Sequence, residues 1–271
     1  MIIKTKDYTP TFFESVTEDG VTMFNDLVKL DRGNLICVAA RPGMGKTSLV
    51  LHMTLEFAKK SDKTIYIFSF RERATDIYER LICSLAEIDT YSMRKREFSS
   101  EQWERIARAK ISSLNIVIDD TLKREEWQEL KRLEECDDLG LVVFDALCPS
   151  KHTAPNYVQE LSLITRELRH LSKIKNIPVI FAHTPNRKLE KRKDKRPRCK
   201  DLIGDGALEQ DSDTIIFIYR DEYYNGSYED FSNAEIIIAK NRYDCIDTVQ
   251  LEWRGRYGKF SEVDKEESCQ T

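Results

Sequence analysis

Short, unbroken apolar runs alternate along this chain with stretches whose apolar residues recur every three or four positions, the signatures of buried strands and amphipathic helices. Leu35–Ala39, residues 64–70 (TIYIFSF), residues 115–119 and Leu139–Asp145 (LGLVVFD) read as strands. Residues 177–182, Thr214–Tyr219, 234–239 and 248–253 extend the series. Between them Lys46–Lys60, 76–85, 101–112 and 125–134 read as helices. The clearest helical stripe is Val158, Leu161, Ile164, Leu168 and Leu171, spaced 3, 3, 4 and 3 apart. Helices between continuous apolar strands imply right-handed crossovers. The expected fold is therefore α/β: a mostly parallel central sheet with helices on both faces, its later strands antiparallel. Residues 1–32 are polar and irregular, an expected N-terminal arm or linker in which only 10–16 has helical character. Residues 33–271 are expected to form one domain.

Composition adds exclusions. Of the 271 residues 41% are hydrophobic and 10% aromatic, enough for a packed core and too many for wholesale disorder. The three tryptophans, Trp103, Trp127 and Trp253, sit in helix or strand patterns and read as packing residues. No apolar run approaches the ~18 residues of a membrane span, and the first residues lack a signal peptide's apolar stretch. A cytoplasmic protein without a membrane partner is expected. The seven cysteines (37, 83, 136, 148, 199, 245 and 269) are scattered with no C-x-x-C pair, which argues against a disulfide framework or a zinc site. The net charge of −4 argues against a generic nucleic-acid binder, but its distribution is uneven. Residues 187–200 hold nine basic side chains (Arg187, Lys188, Lys191, Arg192, Lys193, Lys195, Arg196, Arg198 and Lys200) against Glu190 and Asp194. That segment carries +7 and the remainder −11, so it is a local site for an anionic partner whatever the total.

The sharpest chemical signal is Ala40-Arg41-Pro42-Gly43-Met44-Gly45-Lys46-Thr47-Ser48 between an apolar strand and a helix. The phosphate-binding loop pattern is G-x-x-x-x-G-K-[ST]; Ala40 replaces its first glycine, and the rest is present. Small residues let backbone N–H groups curl around phosphates, and the helix N-terminus adds partial positive charge. Arg41 through Ser48 thus form the expected nucleotide-binding turn. Lys46 would neutralise the β/γ-phosphates and the Thr47 hydroxyl would ligate Mg²⁺. Asp145, ending a later apolar strand, is placed to hold the hydration shell of that metal.

These residues together resemble the C-terminal, RecA-like motor domain of the DnaB family of hexameric replicative helicases. The similar segments are VAARPGMGKTS (38–48), IFS (67–69), NIVIDD (115–120), NIPVI (176–180), NRKLEKRKDKRP (186–197), ALEQDSD (207–213), IFIYRDE (216–222) and AEIIIAKNR (234–242). They run in order over roughly residues 20–260. The resemblance implies a ring, usually of six subunits, with ATP at each interface, single-stranded DNA in the channel and 5′→3′ DNA helicase activity driven by ATP hydrolysis. It also implies a replisome or loader protein as partner. Lys46, Thr47 and Asp145 carry over as nucleotide and magnesium residues, and Lys240 and Arg242 match the pair that reaches the neighbour's γ-phosphate. The family's separate N-terminal helical domain, which engages primase, is not expected here; the arm takes the place of the linker that docks on a neighbouring subunit.

Three departures from the family pattern bear on activity. Where the family reads S-L-E-M after the strand, this chain reads Ser69-Phe70-Arg71-Glu72, so an arginine stands in the place of the carboxylate that acts on the attacking water. Arginine accepts no proton at ordinary pH, and Glu72, the next residue, faces the other way unless the strand end is irregular. Arg71 would then hold the γ-phosphate instead. The family's S-Q-L-N-R becomes His183-Thr184-Pro185-Asn186-Arg187, which replaces a phosphate-sensing glutamine by the shorter Thr184. The channel loop reads 201–206, DLIGDG, with Ile203-Gly204 where the family has an arginine–glutamate pair. The basic segment, through Arg187, Lys191, Arg192, Lys195 and Arg196, is the expected compensation in DNA binding, together with Gly206. Two main readings stay open: a helicase motor with slow hydrolysis, or a DnaB-like ATP-binding protein that assembles or regulates a partner without turning over. Another RecA-like ATPase, of the recombination-mediator or clock type, is a weaker third.

Overall fold

The computed structural model describes residues 2–4, 28, 30, 33–122, 130–147, 157–202, 206–225 and 231–262. The expectations for residues 10–16, Trp127, Ile203, Gly204 and most of 125–134 lie outside the described residues. The strands are β1 (Ile2–Lys4), β2 (Leu35–Ala39), β3 (Thr64–Ser69), β4 (Ile116–Asp119), β5 (Leu139–Asp145), β6 (Val179–His183), β7 (Thr214–Tyr219), β8 (Phe231–Asn241), β9 (Asp247–Arg254) and β10 (Lys259–Glu262). They form a 10-stranded sheet in the order β1-β4-β3-β5-β6-β2-β7-β8-β9-β10. The stretch from β4 to β7 is parallel throughout. β8, β9 and β10 extend one edge antiparallel, and β1 caps the other by pairing antiparallel with β4.

The parallel strands are apolar at consecutive positions because both faces are covered. Ile36 and Val38 of β2 pack with Leu49, Val50 and Met53 of α1 (Lys46–Lys60) and Ile77 and Leu81 of α2 (Ala74–Ala86). Their neighbours Leu35, Cys37 and Ala39 face the opposite way, against Leu161, Leu168 and Leu171 of the helix at Tyr157–Lys175. Each of the larger aliphatic side chains among them contributes about 1.5–3 kcal/mol on full burial, so the period of the pattern dictates which face it takes.

Several boundaries differ from expectation. The helix expected over 101–112 spans Ser100–Arg108, followed by a separate 3-10 turn at Ile111–Ser113, because Lys110 takes a left-handed conformation (φ 43°) that an α-helix does not tolerate. A short helix at Thr90–Lys95 escapes the apolar pattern, since Met93 is its single buried residue; Asp89 caps it by accepting from the Tyr91 N–H at 2.7 Å. Within the arm, Ile2–Lys4 joins this chain's own sheet, Ile2 opposite Asp119.

Candidate nucleotide site

The register of the parallel strands brings the candidate residues to one edge of the sheet. Ala39 of β2 lies beside His183 of β6, and Ser69 of β3 beside Asp145 of β5, all at carboxyl ends of strands. After Ala39 the chain turns into α1. Gly43 and Gly45 hold φ of 81° and 93°, a region where a Cβ is strained. A Cβ on Gly45 would also stand 2.8 Å from Phe260 Cζ and 3.1 Å from the Trp253 ring; one on Gly43 would stand 2.8 Å from the Tyr223 ring. The β9–β10 hairpin thus backs the turn. Arg220 adds to this backing, donating to the Gly43 carbonyl at 3.3 Å with its guanidinium 5.2 Å from the Trp253 ring centroid. Pro42 and Gly43 are exposed, whereas Met44 and Ser48 are buried and anchor the turn to the core. α1 starts without a side-chain cap and without an acidic residue in its first turn, so its positive end is not offset by its own side chains.

Lys46 donates to the Thr184 hydroxyl at 2.8 Å, and the Thr47 hydroxyl to the Asp145 carboxylate at 3.0 Å. Burial pushes the Lys46 ammonium down to about 8 although Asp145 pulls it up; the charge of Arg71 pushes it further down. Asp145 is pushed up by burial, with the Thr47 hydrogen bond opposing and the nearby Glu72 charge adding. His183 is buried and neutral, held down at about 4 by burial and by Lys46. The Thr47 hydroxyl beside the Asp145 carboxylate is an oxygen pair that suits Mg²⁺, which keeps waters and shares its ligands with substrate phosphates. The uncapped helix end, Lys46 and the Cβ-free turn suit the phosphates themselves.

The end of β3 is irregular. The Ser69 hydroxyl donates to the Glu72 carbonyl at 2.8 Å and accepts from the Glu72 N–H at 3.2 Å, closing a turn that cancels strand alternation. The strand therefore ends at Ser69, not at Phe70, and the geometric objection to Glu72 falls. Glu72 accepts from two nitrogens of Arg80, Nε at 2.7 Å and Nη2 at 3.1 Å, while its charge bears on Asp145 and that of Arg71 on Lys46.

Lys240 and Arg242 do not join this cluster. Lys240 pairs with Ile215 and Asn241 with Thr214 at the start of β7, the amino edge of the sheet, opposite the phosphate turn. The Lys240 ammonium donates to the carbonyls of Glu209 and of Ser212, the latter at 2.7 Å. Arg242 lies 3.0 Å from the Asp213 carboxylate. The basic segment is folded, with Leu189 and Pro197 buried. Arg192 is bidentate to Asp201 (2.9 and 2.8 Å) and Arg196 to Glu235 (2.6 and 2.5 Å), while Lys195 stands 4.5 Å over the Tyr224 ring. Arg187 and Lys191 are exposed, and Gly206 opens the helix Ala207–Asp211 with φ 82°. Arg41, expected in the nucleotide-binding turn, donates to Glu190 at 2.8 Å and to the Pro185 carbonyl at 3.0 Å, tying that turn to the basic segment. The partners Arg80, Asp213 and Arg220 were missed in the sequence, where each is an ordinary charge near a strand or on a helix.

A glycine turn running from a central parallel strand into an uncapped helix, with a lysine, a threonine and a facing buried aspartate, defines a P-loop protein of the RecA-like class. The DnaB-like helicase C-terminal domain model matches residues 19–262, and the chain belongs to that family. It is 35% identical over 242 residues to the replicative DNA helicase DnaB of Geobacillus stearothermophilus, covering 86% of this chain and 53% of that protein. It is 37% identical over 261 residues to replicative DNA helicase DnaB of Haemophilus influenzae, covering 90% and 55%. The chain thus spans about half the length of these relatives. Among solved structures, an ATPase domain superposes with a TM-score of 0.78 at 30% identity over 90% of both chains. A DnaB-like replicative helicase, described with its interactions with primase, superposes with a TM-score of 0.76 at 30% identity, over 87% of this chain and 58% of that one.

Proposed function

We propose that this chain is an ATP-driven helicase motor of DNA replication that acts in the cytoplasm on single-stranded DNA as a homo-oligomeric ring, a hexamer, with 5′→3′ polarity and slow hydrolysis. The observation that carries the reading is the split of two half-sites: Lys46, Thr47 and Asp145 at the carboxyl edge of the sheet, Lys240 and Arg242 at the amino edge. A cation pair at the edge opposite its own chain's phosphate turn supports a role toward the nucleotide of another copy. In this reading Lys46 and the start of α1 bind the phosphates of ATP, the Thr47 hydroxyl would ligate Mg²⁺ and Asp145 would hold its hydration shell. The metal supplies charge neutralisation on the phosphates. Glu72, once it leaves Arg80, takes a proton from the attacking water, and Arg71 holds the γ-phosphate end beside Lys46. The Lys46–Thr184 hydrogen bond supports Thr184 as the group that reports nucleotide occupancy. Arg187 and Lys191, exposed on the basic segment, and Gly206 face DNA, with Arg192, Lys195 and Arg196 shaping the surface. A replisome or loader protein is the partner in line with this role.

A second reading, a DnaB-like protein that binds ATP to assemble or regulate a partner without turnover, is favoured by the Glu72–Arg80 pair, which occupies the only carboxylate offered as base. Steady-state ATP hydrolysis with and without single-stranded DNA, beside Lys46→Ala, separates them. The motor reading expects hydrolysis that DNA stimulates and Lys46→Ala abolishes; a wild type that binds ATP yet is as inert as the control overturns it.

A further inference from the structure

The two cations at the amino edge do not stand alone. Asp213 is fully buried immediately before β7: its Oδ2 accepts from the Leu35 N–H at 3.0 Å and from the Arg169 guanidinium, and its Oδ1, without a hydrogen bond, forms an ion pair with the Arg242 guanidinium at 3.0 Å. The Arg242 backbone N–H also donates to the Asp213 carbonyl at 3.0 Å. A buried carboxylate is costly without a partner, and Arg169, itself largely shielded, already supplies one full charge. The cluster of one carboxylate and two guanidiniums is therefore net positive, and Arg242, 47% exposed, is the member that presents that charge outward. Lys240 is fixed beside it by two carbonyls at the end of the helix Ala207–Asp211, whose Asp211 accepts from Thr165 at 2.7 Å. Burial and the adjacent Arg242 push the Lys240 ammonium down, as expected of two like charges held side by side.

We propose that Asp213 is a positioning residue for the motor: it fixes the Arg242 guanidinium so that, with Lys240, it meets the nucleotide bound by the adjacent copy. The inference rests on the reading that this pair acts across a subunit interface. A guanidinium tethered at one end and exposed at the other loses little freedom on meeting a phosphate, which is where such a contact gains rate. Asp213 itself touches no nucleotide, so its loss lowers kcat and leaves KM for ATP near the wild-type value.

Subunit mixing tests this in the full chain. Asp213→Asn is expected to lower kcat at least about tenfold, a fraction of the 10³–10⁵ a cationic finger supplies. Mixing it with Lys46→Ala regains hydrolysis, because one interface then combines an intact phosphate turn from the Asp213→Asn copy with intact cations from the Lys46→Ala copy. Mixing Arg242→Ala with Lys46→Ala regains it for the same reason. If the Arg242 mixture regains activity and the Asp213 mixture does not, Asp213 serves its own fold and the proposal fails. If neither regains activity, the trans reading beneath it fails as well. Wild-type kcat in Asp213→Asn overturns the proposal directly. Should Asp213→Asn melt far below wild type, Asp213→Glu, which keeps the charge but displaces the guanidinium by one methylene, is expected to give the same kcat loss and the same regain; a wild-type kcat there sinks it.

Discussion

Lys46 is held in its charged form at a cost, and that cost can be measured. Burial brings its ammonium to about 8 from an ordinary 10.5, a gap equivalent to about 3 kcal/mol. The folded group releases its proton above pH 8 while the unfolded lysine keeps its own to 10.5, so across that window the unfolded chain binds more protons. Stability therefore rises with pH through the window, and the penalty is complete below pH 8. Lys46→Met keeps the apolar stem and removes the charge, and forfeits the hydrogen bond to Thr184, worth about 1 kcal/mol. At pH 7 and without nucleotide the variant should be more stable than wild type by about 2 kcal/mol, roughly 4–8 °C in melting temperature for a domain of this size. Urea unfolding of both proteins at pH 7 and pH 9.5 compares them on either side of the pH at which the folded Lys46 loses its proton. The advantage should shrink at the higher pH, and Mg²⁺ with ATP should raise the melting temperature of wild type alone. A variant less stable than wild type at pH 7, or an advantage that does not change with pH, would refute the reasoning.

Other outcomes follow from single contacts. Gly45→Ala should cost about 2–4 kcal/mol in thermal or urea unfolding, from the left-handed backbone and the clash with Phe260, and adding Phe260→Leu should restore only the packing share. In ATPase assays Glu72→Gln should lower kcat by about 10²–10⁴ with nucleotide affinity unchanged, whereas equal loss in Arg71→Ala and none in Glu72→Gln would remove Glu72 as base. Arg187→Ala and Lys191→Ala should each flatten the salt dependence of single-stranded DNA binding by about 0.7 in log–log slope, measured by fluorescence anisotropy. Arg192→Ala should instead lower the melting temperature, because it strips the shielded Asp201 of its bidentate partner.

The parallel core and the phosphate turn were legible in the sequence because burial on both faces writes itself as unbroken apolar runs, and because a turn that approaches phosphate closely needs glycine. Asp145 was legible for a related reason: a carboxylate closing an apolar run sits at the strand end where ligands bind. What escaped was set by local polar geometry. The six-residue helix at Thr90–Lys95 buries a single methionine and owes its start to Asp89, so apolar periodicity carried no trace of it. The turn at Ser69 that reorients Glu72 depends on one hydroxyl, and strand alternation alone gives the opposite face. The pairing of Arg192 with Asp201 and Arg196 with Glu235 joins residues on separate elements, so the basic run appeared more available to an anion than its folded form is. Asp213 lay within a stretch read for its resemblance, yet its two arginines come from a distant helix and from the turn that follows a neighbouring strand.

The proposal that the turn at Gly43–Gly45 grips a triphosphate is tested most directly by isothermal titration of the full chain with Mg²⁺ and a non-hydrolysable ATP analogue, beside Lys46→Ala. Saturable binding at one site per chain by wild type, weakened or abolished in the variant, is the expected result. No heat of binding by wild type, or equal affinity in both proteins, would contradict it.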